Sequence, residues 1–155
     1  MEEKTNVMRL LEQKKIKYIG HAYANTGVVS GIDVAAALGK TPDQVFKTLV
    51  AVGKSKNHYV FVIPGSKELD LKKAAKSVGE KSVEMIKAKD LLPLTGYVHG
   101  GCSPISMKKF FPTVIDASVA DWETFCFSVG KIGYQVELAP NDLHKIICFQ
   151  LADIT

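Results

Sequence analysis

The sequence predicts a mixed α/β fold built as one domain, and three observations carry that prediction. Apolar residues fall at helical spacing in some stretches and in short β-rich runs in others, along the whole chain. Turns rich in glycine, proline, serine and asparagine separate those stretches at short intervals. At 155 residues, with no internal repeat, low-complexity tract or linker, the chain is long enough to bury a core without disulfides or a structural metal, so residues 1–155 are expected to form one unit.

Within Thr5 to Lys15, Val7, Leu10 and Leu11 are spaced as one face of an amphipathic helix. Tyr18 to Tyr23 reads as extended and Asn25-Thr26-Gly27 as a loop. Ser30 with Asp33 forms a capping-box pattern for a helix through Leu38, which Gly39 stops. A strand from Val45 to Val52 and another from His58 to Ile63, joined by the turn Gly53 to Asn57, predict a β-hairpin ended by Pro64-Gly65. Asp70 is placed to cap a helix with Leu71, Ala74, Ala75 and Val78 on its apolar side, closed by Gly79.

Val83 to Ile86 is β-like, and Ala88 to Leu92 fits one helical turn that ends before Pro93. Strands are expected at Thr113 to Asp116, Phe125 to Gly130 with its end in a small-residue turn, Gly133 to Leu138 and Ile146 to Phe149. Helical turns are expected in Val119 to Thr124 and from Pro140 through Lys145. Between them, Thr95 to Pro104 packs three glycines and a proline into ten residues, a loop that lets backbone approach a ligand closely.

Lys47 is the anomaly of the pattern. It sits inside Val45-Phe46-Lys47-Thr48-Leu49-Val50, where an ammonium must snorkel to water, pair with an anion or serve a site. Other chemistry is thinly supported. The formal charge of +4, from 20 Lys plus Arg against 16 Asp plus Glu, is compatible with a polyanionic partner and equally with a solvated surface. The chain opens on charge, without the apolar core of a secretory signal, and no apolar run reaches membrane-spanning length. Three unpaired cysteines, Cys102, Cys126 and Cys148, fit a reducing cytoplasm.

The histidines His21, His58, His99 and His144 lack metal-ligand spacing, so no metal is expected. His99 with Cys102 is a weak base–nucleophile candidate, since a free cysteine is more often a small buried hydrophobe. Asp70 and Asp116 read as capping residues, and the glycine loop lacks the lysine and hydroxyl ending of a phosphate-binding P-loop.

Pro42-Asp43-Gln44-Val45-Phe46-Lys47-Thr48-Leu49, followed by Leu69-Asp70-Leu71-Lys72-Lys73-Ala74-Ala75-Lys76, resembles the YbaK/EbsC family of bacterial aminoacyl-tRNA deacylases. Thr95-Gly96-Tyr97, Gly100-Gly101-x-Ser103-Pro104, Pro112 to Asp116, Gly130-Lys131 and Glu137-Leu138 follow in the same order, so the resemblance spans nearly the whole chain. It implies a mixed sheet curled into a barrel-like body with helices around it, related to the editing domain of bacterial prolyl-tRNA synthetases. It also implies hydrolysis of mischarged Cys-tRNA(Pro), with Ala-tRNA(Pro) or another small aminoacyl ester as the nearest alternative and a non-catalytic binding module as the rival class.

Carried over by the resemblance, Lys47 takes the essential lysine's place. Gly100, Gly101, Ser103 and Pro104 form the pocket loop, Ser128 and Gly130 a second wall, and Tyr23 an aromatic near the substrate. No cofactor is implied. The partners are the acceptor end of an aminoacyl-tRNA, met through lysines such as Lys72, Lys73, Lys108 and Lys109, and prolyl-tRNA synthetase, which would supply most of the tRNA specificity. Cys102 falls on a variable position of the loop.

Overall fold

The computed structural model describes residues 5–23 and 31–155. The expected loop Asn25-Thr26-Gly27 and the Ser30 half of the capping box lie outside them. Helix α1 (Asn6–Gln13) is capped by Thr5, whose hydroxyl accepts from the Met8 amide, and buries Val7, Met8 and Leu11. Strand β1 (Ile19–Ala22) and helix α2 (Gly31–Leu38) follow. Strands β2 (Phe46–Gly53) and β3 (His58–Pro64) form the expected antiparallel hairpin, with Phe46 opposite Pro64 and Val52 opposite His58.

Helix α3 (Leu71–Val78) starts where predicted, because the Asp70 carboxylate accepts from the amides of Lys72 and Lys73. It packs through Ala74 and Ala75, whereas Leu71, expected on its apolar side, is exposed. Strand β4 (Val83–Met85) leads to helix α4 (Ala88–Thr95). That helix runs through Pro93 instead of stopping before it. Proline deletes one bond, to the carbonyl of Lys89, and Lys89 is exposed, so solvent can meet the carbonyl.

Strand β5 (Thr113–Asp116), a 3₁₀ turn (Ala117–Asp121), strands β6 (Phe125–Ser128) and β7 (Tyr134–Leu138), and the short helix α5 (Pro140–Leu143) complete the expected order. The last strand, β8, is Gln150–Ala152 and not Ile146 to Phe149. The Leu143 carbonyl accepts from both Ile146 and Ile147, so helical turns continue and Ile147 enters the core from a turn.

The strands form two sheets, ordered β1-β7-β6 and β4-β2-β3-β5-β8. In the larger sheet β3 runs parallel to β5 and β5 to β8, which makes it mixed. The sheets meet at a parallel bridge between Val45 and Cys126. Beside it runs an aromatic seam: Phe46 meets Phe125 edge-on at 5.3 Å and Phe125 meets Phe127 at 5.2 Å, all three fully buried. Alternation along β3 sends Val60 and Val62 into this core, while Phe61 and Ile63 pack on α3. No described helix is long and apolar enough to cross a membrane.

These features rank two substitutions. Phe125→Ala removes the ring joining the sheets and is expected to cost about 3–5 kcal/mol. Asp70→Ala removes one cap and is expected to cost about 1 kcal/mol. Denaturant midpoints of both variants check the order, and equal losses would contradict it.

Candidate active site

Where the hairpin begins, beside the bridge that joins the sheets, the chain leaves a cavity of about 260 Å³. Its lining draws Phe46, Lys47, Thr48 and Leu49 from β2, Tyr23 from the end of β1, Ser128 and Gln135 from β6 and β7, and His99, Gly100 and Cys102 from the glycine loop. Four sequence-predicted residues, Tyr23, Lys47, Gly100 and Ser128, thus come together from segments far apart in the chain.

Lys47 is half-buried and has no carboxylate partner among the described residues. Its ammonium therefore faces the cavity's needs without a protein counter-charge. Tyr23 is buried and its amide donates to the Gly133 carbonyl at 2.7 Å. Burial raises the Tyr23 pKa, opposed by hydrogen bonds from the Gly133 backbone and the Gln135 side chain, so the phenol stays neutral. The Ser128 hydroxyl accepts from the Gly130 amide at 3.3 Å, which tightens the turn after β6.

Of the predicted loop and turn residues, Gly100 lines the cavity and Gly101, Ser103, Pro104 and Gly130 do not. Gly100 reaches the cavity at φ +86°, a conformation that favours glycine. Gly101 packs on the Lys131–Ile132 backbone, and its amide donates to the Val98 carbonyl at 3.0 Å. Its N–H is committed, which leaves the Gly100 amide as the loop glycine donor free of a backbone acceptor among the described residues. Ser103 is fully buried and accepts from the Ile105 amide. Pro104 lines a separate small cavity with Phe110 and Phe111. Gly130, at φ +92°, leaves no room for a Cβ, which would lie 2.5 Å from the Tyr97 ring.

Cys102 lines the cavity without being activated. Burial pushes its thiol up to about 12, and no hydrogen bond joins it to His99. A thiol in that state is a poor nucleophile near neutral pH.

Two polar lining residues were not singled out by the sequence reading. Gln135 is 6% exposed, and among the described residues neither its Oε1 nor the buried Oγ1 of Thr48 has a hydrogen-bond partner. Each is a polar group that a ligand can satisfy. The signal in the sequence is the placing of Gln135 and Glu137 at alternate positions between Tyr134, Val136 and Leu138, which looks like the wet face of a half-buried strand.

Two positions beyond Gln135, the Glu137 carboxylate lies 2.8 Å from His21 Nε2 and 3.1 Å from Lys40 Nζ, and accepts from the Thr124 hydroxyl. Burial alone would raise its pKa, but the bonds from Thr124, His21 and Lys40, with the Lys40 charge, hold it down at about 2. His21, Cys126 and Glu137 also bring three potential ligand atoms within 4.8 Å of one another. Lys40 already neutralises that carboxylate, and burial, with the Glu137 charge, pushes the Cys126 thiol up to about 12. The group is an ion-paired knot tying β1, β7 and the α2–β2 connection.

Residues 27–146 match the aminoacyl-tRNA editing domain family. The chain belongs to that family. The editing domain is 46% identical, over 99% of its length and 94% of the relative's, to EbsC of Enterococcus faecalis, a candidate Cys-tRNA(Pro)/Cys-tRNA(Cys) deacylase. It is 25% identical to part of a proline–tRNA ligase of Shouchella clausii, covering 76% of this chain and 21% of that one. A solved structure described as a candidate trans-editing enzyme for prolyl tRNA synthetase superposes with a TM-score of 0.82 over 99% of both chains, at 24% identity. The mixed α/β architecture of the editing domain is therefore that of known proteins.

The Glu137 knot sets an acid limit. Its carboxyl is depressed in the folded state, so its stabilising contribution is complete above the ordinary carboxylate pKa of about 4.3. That contribution is lost as pH falls toward about 2. Denaturation midpoints of the native chain should fall through this window, and Glu137→Gln should flatten that part of the profile. An unchanged profile would contradict the assignment.

Proposed function

We propose that the chain is a free-standing editing deacylase, active in the cytoplasm as one domain over residues 1–155, that removes cysteine from mischarged Cys-tRNA(Pro) beside prolyl-tRNA synthetase. The observation that carries this reading is the small cavity holding, among the described residues, a lysine without a carboxylate partner, a loop amide without a backbone acceptor and no activated nucleophile. At about 260 Å³ it falls below the roughly 300–1,000 Å³ of drug-sized ligand pockets, a size suited to a small aminoacyl group.

In this reading the cysteinyl thiol attacks its own ester carbonyl. A carbon–sulfur bond forms, the carbonyl electrons move to oxygen, and collapse expels the terminal ribose oxygen, which takes up the thiol proton. The product is a cyclic thiolactone that water then opens to cysteine. Lys47 and the Gly100 amide are suited to the transient oxyanion, where each well-placed donor is worth about 3–4 kcal/mol. Tethering the thiol beside the carbonyl supplies the large effective concentration of an internal nucleophile. Gln135 Oε1 and Thr48 Oγ1 are free to accept from the substrate's ammonium, and Tyr23 and Ser128 complete the wall.

An editing step is needed because one methylene in an apolar pocket is worth only about 1–3 kcal/mol to a synthetase. The modest charge of +4 supports weak intrinsic tRNA binding, with the synthetase supplying selection of tRNA(Pro). Ala-tRNA(Pro) is the rival substrate that the cavity size also admits.

Lys47→Ala should lower the deacylation rate by about 10²–10³ while leaving the denaturation midpoint unchanged. Cys102→Ala should retain most activity. A normal rate in folded Lys47→Ala, or complete loss in Cys102→Ala, would sink these assignments.

The choice of nucleophile is tested by comparing Cys-, Ser- and Ala-tRNA(Pro), with and without the synthetase, while trapping the released product. Fast loss of cysteine through a trapped thiolactone is expected. Equal rates for the three esters, with no thiolactone, would mean that water attacks.

A further inference from the structure

On the other side of the Ser128–Lys131 turn from the cavity lies a second, larger cleft of about 550 Å³, between that turn, the start of α1 and the loop after α4. Ser128 lines the cavity, whereas Val129, Gly130 and Lys131 line the cleft. The partition is rigid: the Tyr97 ring fills the space where Gly130 lacks a side chain, and its hydroxyl donates to the Ile105 carbonyl.

Three exposed cations, Arg9, Lys108 and Lys131, line this cleft, and no described lining residue is acidic. The groove between β4 and α4 differs, since Glu84 and Asp90 stand there against Lys87. Among the described residues the Arg9 guanidinium donates to the Asn6 side chain at 3.5 Å and the Lys108 ammonium to the Pro93 carbonyl at 3.5 Å, both neutral acceptors, so neither of these two charges meets a described carboxylate.

Resting on the deacylase reading above, we infer that this cleft is the subsite for the backbone phosphates of the terminal nucleotides of the tRNA. An ester on the last ribose, held in the cavity, has the phosphates of its own and the preceding nucleotides as the nearest anions. A cation-lined cleft one turn away is where such a strand would run. This placement revises the expectation for Lys72 and Lys73. Helix α3 packs on the face of the larger sheet formed by Phe61 and Ile63, opposite the face that carries the core under the cleft, and Lys73 is paired with Asp153 at 3.0 Å.

The test measures binding of a labelled, uncharged acceptor-stem RNA hairpin ending in CCA, by anisotropy across 50–200 mM salt. Arg9→Ala with Lys108→Ala is expected to weaken binding about tenfold and to shallow the salt dependence by about one to two phosphate equivalents. A matched charge loss on α3, Lys72→Ala with Lys76→Ala, is expected to stay within twofold of the native chain. On charged tRNA the cleft variant should raise KM and leave kcat unchanged. Equal weakening by both double variants, or none by the cleft pair, would overturn the inference. Native ester hydrolysis without any dependence of affinity on the cleft would refute the cleft alone. Hairpin binding through the cleft by a protein that hydrolyses no ester would refute the deacylase reading instead.

Discussion

The geometry of this protein depends on one buried carboxylate. Glu137 takes hydrogen bonds from β1 through His21, from the α2–β2 connection through Lys40 and from the approach to β6 through Thr124. The small sheet is thereby fixed against the segment that enters β2, next to the Val45–Cys126 bridge and the Phe46–Phe125 contact. A buried charge of this kind costs desolvation energy, and it persists because every one of its donors is in place. Its value lies in orientation, since Gln135 two residues earlier and Lys47 two residues past Val45 are both positioned by the junction.

With that frame set, the cavity divides its labour between charge and shape. Lys47 and the Gly100 amide supply positive potential beside aromatic and aliphatic side chains, and such low-polarity walls strengthen charge interactions relative to open water. Acid–base machinery is muted: Tyr23 is held neutral and Cys102 is pushed up to about 12. An arrangement of this kind is the one expected if, as proposed above, the substrate brings its own nucleophile.

Much of this was legible in the sequence, because it rests on local rules. Asp70 and Gly79 bound α3 through capping, the Gly53 to Asn57 turn makes the hairpin, and Lys47 announces itself as a charge in an apolar strand. The family resemblance supplied the gathering of Tyr23, Gly100 and Ser128 around it. What stayed hidden depends on partners distant in sequence. Gln135 and Glu137 look like solvent-facing residues until β1 and β6 close over both edges of β7. The Gly101 amide looks available until Val98 takes it, and the Ile146 to Phe149 run looks like a strand until the Leu143 carbonyl prolongs the preceding helical turns.

Two cavity-lining atoms without a hydrogen-bond partner among the described residues, Gln135 Oε1 and Thr48 Oγ1, bear, on the proposed reading, on which compounds the cavity would refuse as well as which it would accept. A buried polar atom cut off from any partner costs about 1–3 kcal/mol, and a guest without a matching donor would impose that deficit by taking the place of solvent. Short fatty acyl groups and other small apolar esters, which fit by volume, would displace solvent and gain nothing in return. Aminoacyl esters carry an ammonium close to the carbonyl and would supply the missing donor. On the proposed deacylase reading, the cavity would thus screen for amino acids as a chemical class before any side chain is compared, and would spare other esters.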